Sequence, residues 1–157
     1  MDEAIKLLQT EAELSYVEAL SETLENLSFE GKAQQVEGLP SNEAVERLNS
    51  LYKKMNLEAL DKEIIRKSIQ LIFIKATKED KLQMNHQMTP DTIAYLIAYF
   101  IGEIKKDKTE KLHVSDLAAG TGNLLNIVLA HLASRGNEVT AEAVDNDDLL
   151  ISVAANS

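Results

Sequence analysis

Residues 116–123 read Asp-Leu-Ala-Ala-Gly-Thr-Gly-Asn and stand between an apolar run and a helical pattern. Residues 112–117 predict a short buried strand that leads into this glycine turn. After the turn, apolar residues recur at helical spacing, and residues 139–144 predict a second strand that ends at Asp145. The order strand, helix, strand within about thirty residues predicts a parallel βαβ unit with a right-handed crossover.

The glycine turn lies where open α/β sheets bind their ligands, at the carboxyl end of a strand. Gly120 and Gly122 have no Cβ, so the backbone can turn sharply there and approach a nucleotide-like ligand closely. Asp145 follows the second strand, where a carboxylate can accept hydrogen bonds from two ribose hydroxyls; capping of the next helix is its alternative role. Leu125 occupies the place of the third glycine in a dinucleotide-binding fingerprint, which counts against an NAD site.

The first eighty residues carry helical patterns and predict a small helical bundle or hairpin. Residues 4–27 have leucines and valine at three- and four-residue spacing, which predicts one amphipathic helix. A polar connection at residues 31–40 precedes a helix that Ser41 or Asn42 caps. A third helix is predicted over residues 57–76. The apolar face predicted for this third helix consists of Leu60, Ile64, Ile65, Ile69, Ile72 and Phe73.

A further helix is predicted to begin at Thr89-Pro90-Asp91 and to end near Ile104. Thr89 suits the N-cap, Pro90 the first helical position and Asp91 the positive end of the helix dipole. The apolar residues predicted to share the packed side of this helix are Ile93, Leu96, Ile97, Phe100, Ile101 and Ile104.

Composition limits the kinds of site and partner. The net charge is −10, and Lys6 and Lys32 are the only basic residues through residue 46, so this segment repels phosphate and suits a protein partner better than nucleic acid. The chain has no cysteine, and its three histidines lack a metal-binding spacing, so we expect no metal site. No apolar run approaches the roughly 20 residues that span a bilayer, and we expect a cytoplasmic protein without membrane contact.

Three of these segments resemble, in order, motifs of the amino-methyltransferases that modify adenine in DNA, including the modification subunits of type I restriction systems. Residues 87–90 and the helix after them are similar to the family's N-terminal cofactor motif, although Met88 stands where the family often has an aromatic residue. Residues 116–124 resemble its glycine loop, and residues 143–147 resemble its ribose-binding strand end. The resemblance covers residues 85–157.

The resemblance implies an α/β fold of class I S-adenosylmethionine-dependent methyltransferases. Residues 1–80 would form the helical N-terminal domain, and residues 81–157 the first part of a Rossmann-like domain with a truncated parallel sheet. By the same resemblance, Thr89 would help to hold the methionine carboxylate of S-adenosyl-L-methionine. Asp116 and the Gly120 backbone would contact the amino group of the same cofactor. Asp145 would hold the ribose, and Asn146 would lie beside the adenine. The predicted cofactor-binding residues are Thr89, Asp116, Ala118, Gly120, Gly122, Asp145 and Asn146.

Methyl transfer in this family depends on a loop of Asp, Asn or Ser followed by Pro-Pro and an aromatic residue. The two prolines of this chain, Pro40 and Pro90, stand far apart, so we expect an inactive fragment of a longer bacterial protein that binds DNA through its remaining C-terminal part. Two alternatives stay open. The same cofactor would serve an RNA, protein or small-molecule acceptor, or the acidic helices would form a non-catalytic protein-interaction module.

Overall fold

A computed structural model describes residues 1–55, 59, 61–79 and 88–156. The chain divides into two compact units, residues 1–84 together with 156–157, and residues 85–155. The predicted domain boundary between residues 80 and 81 lies outside the residues that the structure describes.

The first unit is helical, as predicted. It contains α1 (Asp2–Glu11), α2 (Tyr16–Ser28), α3 (Asn42–Met55) and α4 (Lys62–Glu79). The buried apolar residues of these helices are Ala4, Ile5, Leu8, Tyr16, Val17, Ala19, Leu20, Leu24, Ala44, Leu48, Tyr52, Ile69, Phe73 and Ala76. Ser41 caps α3, because its Oγ accepts a hydrogen bond from the Ala44 N–H at 3.3 Å.

The prediction of one helix over residues 4–27 is wrong, because the chain forms two helices there. Glu13 has φ 54°, a left-handed conformation that an α-helix does not contain. Ser15 then starts α2 through a reciprocal capping box: its Oγ accepts from the Glu18 N–H at 3.3 Å, and Glu18 Oε2 accepts from the Ser15 N–H at 2.8 Å. The apolar spacing continues across the break because both helices face the same core.

Helix α4 differs from its predicted counterpart in extent and in one face residue. The predicted start at residue 57 lies outside the described residues, and the helix continues to Glu79 instead of ending at residue 76. Ile69 and Phe73 are buried as predicted. Ile64 is 52% exposed, which corrects its assignment to the buried face. Ile64 and Ile69 are five residues apart, which corresponds to about 140° around a helix. Ile64 therefore lies far from the buried side of α4 on which Ile69 lies.

The second unit contains the predicted βαβ arrangement. Its elements are α5 (Asp91–Ile104), β1 (Lys111–Asp116), α6 (Asn123–Ser134), β2 (Glu138–Ala143) and α7 (Asp148–Ala155). The two strands pair in parallel, with Leu112 opposite Val139 and Asp116 opposite Ala143. Each strand begins and ends one residue earlier than predicted, and the predicted helical region after the glycine turn is confirmed as α6.

Small residues form the centre of the packed side of α5, and only two of the predicted large apolar residues pack beside them. Ala94 and Ala98 are fully buried in a cluster whose other buried members are Leu112, Ile127, Val128 and Leu132. Ile97 and Ile101 are partly buried and pack against this cluster. The prediction is wrong for Ile93, Leu96, Phe100 and Ile104, which are 48%, 49%, 55% and 77% exposed. Alanine side chains let the axes of α5 and α6 approach closely, and the four exposed residues lie on the other sides of α5.

The prediction of a buried strand holds for only one face of β1, because burial alternates along the strand. Leu112 is buried and Val114 is half-buried against the α5–α6 cluster, while Lys111, His113 and Ser115 are exposed. Parallel strands are buried throughout only where helices cover both faces of the sheet. In the part of the chain that the structure describes, one face of β1 carries the packing.

Candidate cofactor site

Backbone hydrogen bonds join the turn after β1 to the residue that follows β2. The Val144 N–H donates to the Asp116 carbonyl at 2.8 Å, and the Ala119 N–H donates to the Val144 carbonyl at 3.0 Å. The Gly122 N–H then closes a tight turn on the Ala119 carbonyl at 2.8 Å. Gly120 lies within this turn, so the predicted glycine turn forms at the carboxyl end of β1.

The two glycines of the turn face different surroundings. Both have a left-handed backbone, with φ 53° at Gly120 and 77° at Gly122, which glycine adopts without a Cβ penalty. A Cβ at Gly122 would lie 3.2 Å from the Ala154 Cβ, so this glycine permits close packing of α7. A Cβ at Gly120 would meet nothing within 4 Å, because this glycine borders open space.

Asp145 connects the end of β2 to this turn. Its Oδ2 accepts a hydrogen bond from the Gly120 N–H at 2.7 Å, and its Oδ1 accepts from the Asp147 N–H at 3.0 Å. Asp147 itself caps α7, since its Oδ1 accepts from the Leu149 and Leu150 N–H groups at 3.0 and 3.1 Å. The helix-capping alternative for Asp145 is therefore wrong, and its carboxylate faces the glycine turn.

A cavity of about 740 Å³ opens beside Asp145 and Gly120. The described residues that line it are Met88, Thr89, Ala118, Ala119, Gly120, Thr121, Asn123, Leu124, Asp145, Asn146, Asp147, Asp148, Leu149 and Leu150. Five predicted site residues, at positions 89, 118, 120, 145 and 146, are brought together there, whereas Asp116 and Gly122 are absent from this lining. The volume lies in the usual range for small-molecule sites, about 300–1,000 Å³.

Asp116 lies at the base of the turn. Its Oδ1 accepts a hydrogen bond from the Ala118 N–H at 3.2 Å, which fixes the first residues after β1. Its Oδ2 forms no hydrogen bond with any residue that the structure describes.

The charged side chains that line the cavity are all acidic. Asp145, Asp147 and Asp148 line it, and its described lining contains no basic side chain. Helices α5, α6 and α7 all begin beside the cavity, and their N-termini carry partial positive charge. A ligand with a net positive charge and one carboxylate group suits these surroundings, whereas the three aspartates repel a pyrophosphate.

The start of α5 differs from its prediction. The N-cap is Pro90, with φ −58° and ψ 137° and no side-chain cap hydrogen bond, so the assignment of Thr89 as the N-cap is wrong. The helix begins at Asp91, one residue later than predicted. The Thr89 carbonyl instead accepts a hydrogen bond from Asn123 Nδ2 at 3.0 Å, and the same amide donates to Asp91 Oδ1 at 3.3 Å.

Asn123 is a site residue that the sequence interpretation missed. It is 4% exposed, begins α6 and lines the cavity. The available signal was a polar amide placed directly after Gly-x-Gly at the start of an otherwise apolar helix.

The described residues give little support for other kinds of site. His113 Nδ1 lies 3.0 Å from Thr140 Oγ1 on the neighbouring strand, and His86 lies outside the described residues. Within residues 1–55, 59, 61–79 and 88–156, no three histidine or acidic side chains are grouped as metal ligands. None of the helices in those ranges is long and apolar enough to cross a membrane.

Comparison with known proteins identifies two relatives of this chain and one domain family whose model matches part of it. Residues 1–77 match the family model of the YtxK N-terminal helical domain. The protein YtxK of Bacillus subtilis (strain 168) is 36% identical over 154 residues, which cover 98% of this chain and 45% of YtxK.

A crystal structure from Listeria monocytogenes, described as that of a proposed class I S-adenosylmethionine-dependent methyltransferase, is 41% identical to this chain and has a TM-score of 0.82. The match covers 99% of this chain and 46% of the Listeria chain. The chain therefore spans just under half the length of the relatives that it matches. Its fold, a helical N-terminal region followed by a parallel βαβ unit, matches a truncated methyltransferase-like fold.

Proposed function

We propose that this chain is the cofactor-binding part of an S-adenosylmethionine-dependent methyltransferase. The observation that carries the proposal is the hydrogen bond between Asp145 and the Gly120 N–H at the edge of one cavity, at the carboxyl ends of two parallel strands. The 41% identity to a Listeria protein described as a proposed methyltransferase supports the same class.

The charges of the lining suit this cofactor better than a dinucleotide. S-adenosylmethionine supplies an activated methyl group on a positively charged sulfonium, and its amino group carries a second positive charge. Asp145, Asp147 and Asp148 attract such a ligand. Asp145 would hold the ribose hydroxyls, and Asn146 would lie beside the adenine.

The other end of the cavity would hold the amino-acid part of the cofactor. Thr89 would bind the methionine carboxylate, which the N-terminus of α5 also attracts. The amino group needs acceptors, so the Gly120 carbonyl and Asp116 Oδ2 are the groups proposed for it, since the Gly120 N–H already donates to Asp145. Ala118 would border the ligand as part of the wall of the cavity.

The proposed methyl acceptor is the exocyclic amino group of adenine in DNA. This proposal rests on the resemblance of the three motifs, in their order, to the amino-methyltransferases that modify adenine in DNA, in which a Thr-Pro helix precedes the glycine loop. The target base would leave the duplex to reach the methyl group. The chain here would orient the cofactor, while the acceptor loop and the DNA-binding surface would belong to the rest of the protein. The acidic helices of the first unit would dock a protein partner. We propose a cytoplasmic location for the protein.

The first test is calorimetric titration of S-adenosylmethionine and NAD into the natural full-length protein. We expect saturable binding of S-adenosylmethionine, no binding of NAD, and a loss of affinity of at least about tenfold in Asp145→Ala. Asp107→Ala is the matched control, because this exposed aspartate lies in the turn before β1, at the other end of the strand from Gly120. A folded wild type that binds no S-adenosylmethionine rejects the proposed cofactor.

The acceptor needs a second experiment. Transfer of a radiolabelled methyl group to unmethylated DNA, to RNA and to a cell protein extract separates the acceptor classes. Label recovered as N6-methyladenine in DNA supports the proposal. Label recovered only in RNA or protein supports the proposed cofactor but rejects DNA as the methyl acceptor.

A further inference from the structure

We infer that Asn123 is a positioning residue that holds Thr89 at the cavity and so sets the contact with the amino-acid end of the cofactor; this inference rests on the proposed function. The Asn123 side-chain amide donates to the Thr89 carbonyl at 3.0 Å and to Asp91 Oδ1 at 3.3 Å. These two bonds join the start of α6 to the segment that leads into α5, across more than thirty residues of chain.

In the described part of the segment around Thr89, residues 88–90, few other hydrogen bonds restrain the chain. Pro90 has no N–H and provides no side-chain cap to α5. Among the residues that the structure describes, Asn123 is the hydrogen-bond partner of Thr89. The packing of α5 on α6 brings Thr89 near the glycine turn, and the hydrogen bond that fixes the Thr89 carbonyl there comes from the residue directly after that turn.

The surroundings of Asn123 make its hydrogen bonds specific. The residue is 4% exposed, so water does not readily replace a lost partner. Its neighbours at this point are acceptors, a carbonyl and a carboxylate, and only a side chain with two donor hydrogens satisfies both. A carboxylate in the same place repels both acceptors while keeping the shape of the side chain.

Two ligands that differ only at the amino-acid end test the inference. S-adenosylhomocysteine carries the amino and carboxylate groups, and 5′-methylthioadenosine lacks them but keeps the nucleoside and a thioether. Calorimetric titration of both into the natural full-length protein is done for the wild type, Asn123→Ala, Asn123→Asp and Asp145→Ala. Asn126→Ala in the same helix is the matched amide-removal control, since Asn126 is absent from the described lining of the cavity.

We expect Asn123→Ala to weaken S-adenosylhomocysteine binding about tenfold and to leave 5′-methylthioadenosine binding within about twofold of the wild type. Asn123→Asp should show at least the same selective loss, and it keeps a residue suited to a helix N-terminus if Asn123→Ala fails to fold. Asp145→Ala should weaken both ligands, because both carry the ribose.

The outcomes separate the two proposals. Equal weakening of both ligands by the folded Asn123 variants indicates a general structural role and overturns the positioning inference. Unchanged binding of both ligands overturns it as well, while the proposed cofactor stands. A folded wild type that binds neither ligand overturns the proposed function and this inference together.

Discussion

Asp145 and Gly120 are joined by a hydrogen bond of 2.7 Å between a side-chain carboxylate and a backbone N–H, across 25 residues of chain. The bond ties the end of β2 to the turn after β1 at the place where the cavity opens. Asp145 therefore has a structural role in the glycine turn as well as its proposed role towards a ribose. The two roles can be measured separately.

Removal of this carboxylate should loosen the glycine turn in the absence of any ligand. We expect Asp145→Ala to increase the amide hydrogen exchange rate of Gly120 about tenfold, since a charge-assisted hydrogen bond is lost. Amide exchange followed by NMR measures this rate. Asp107→Ala should leave the Gly120 rate unchanged, and an unchanged rate in Asp145→Ala would contradict the observed bond.

Alanine at the two glycines of the turn should have different consequences. Both substitutions place a Cβ on a left-handed backbone, which costs about 1–2 kcal/mol. Gly122→Ala should lower the unfolding midpoint further, because its Cβ would lie 3.2 Å from Ala154. Gly120→Ala should affect cofactor affinity more than stability, because its Cβ points to open space. Thermal unfolding and calorimetric titration of both variants check this order, which equal stabilities would contradict.

The break between α1 and α2 depends on the capping box of Ser15. We expect Ser15→Ala to lower the free energy of unfolding by about 1 kcal/mol, because the Glu18 N–H loses its acceptor. Glu18→Gln should have a smaller effect, since glutamine also completes a capping box. Urea unfolding provides the measurement, and Ser50→Ala on an exposed position of α3 is the matched control. A continuous helix over residues 4–27 would instead make Ser15→Ala neutral or stabilising.

Two substitutions test which side of α5 packs against α6. Ala98 is fully buried against α6, so Ala98→Leu should cost about 1–3 kcal/mol through overpacking. Ile104 is 77% exposed, so Ile104→Ser should change the free energy of unfolding by no more than about 0.5 kcal/mol. Chemical unfolding of residues 1–157 measures the free energy of unfolding of both variants. The reverse order would support the face that the apolar spacing alone predicts.

The stability of the helical unit should depend on pH through Asp2. Hydrogen bonds from the Lys75 ammonium and the Tyr16 hydroxyl, each 2.6 Å long, hold the pKa of Asp2 well below its ordinary value of 3.8. Because the folded pKa is the lower one, this contribution is fully present above about pH 4 and is lost as the pH falls below 3.8. We expect the urea midpoint to fall less between pH 6 and pH 3 in Asp2→Asn than in the wild type. Parallel pH profiles would show that the carboxylate contributes nothing.

Local spacing was enough to predict much of the site. The strand, glycine turn, helix and second strand follow one another within a short stretch, so periodicity and turn chemistry determined their order. The place of Asp145 at the end of β2 followed from the same pattern, because consecutive parallel strands end at the same edge of a sheet. The helical character of the first unit was equally evident, although its periodicity did not show the break at Ser15.

Contacts between distant segments decided the rest. The large apolar residues of α5 fit a helical stripe, but only its packing against α6 shows that Ala94 and Ala98 form the interface. Asn123 appears as part of the site because folding brings it to Thr89. Spacing along a chain reports which residues share a face of one element; the partner of that face, and the hydrogen bonds of a buried amide, exist only once separate elements meet in space.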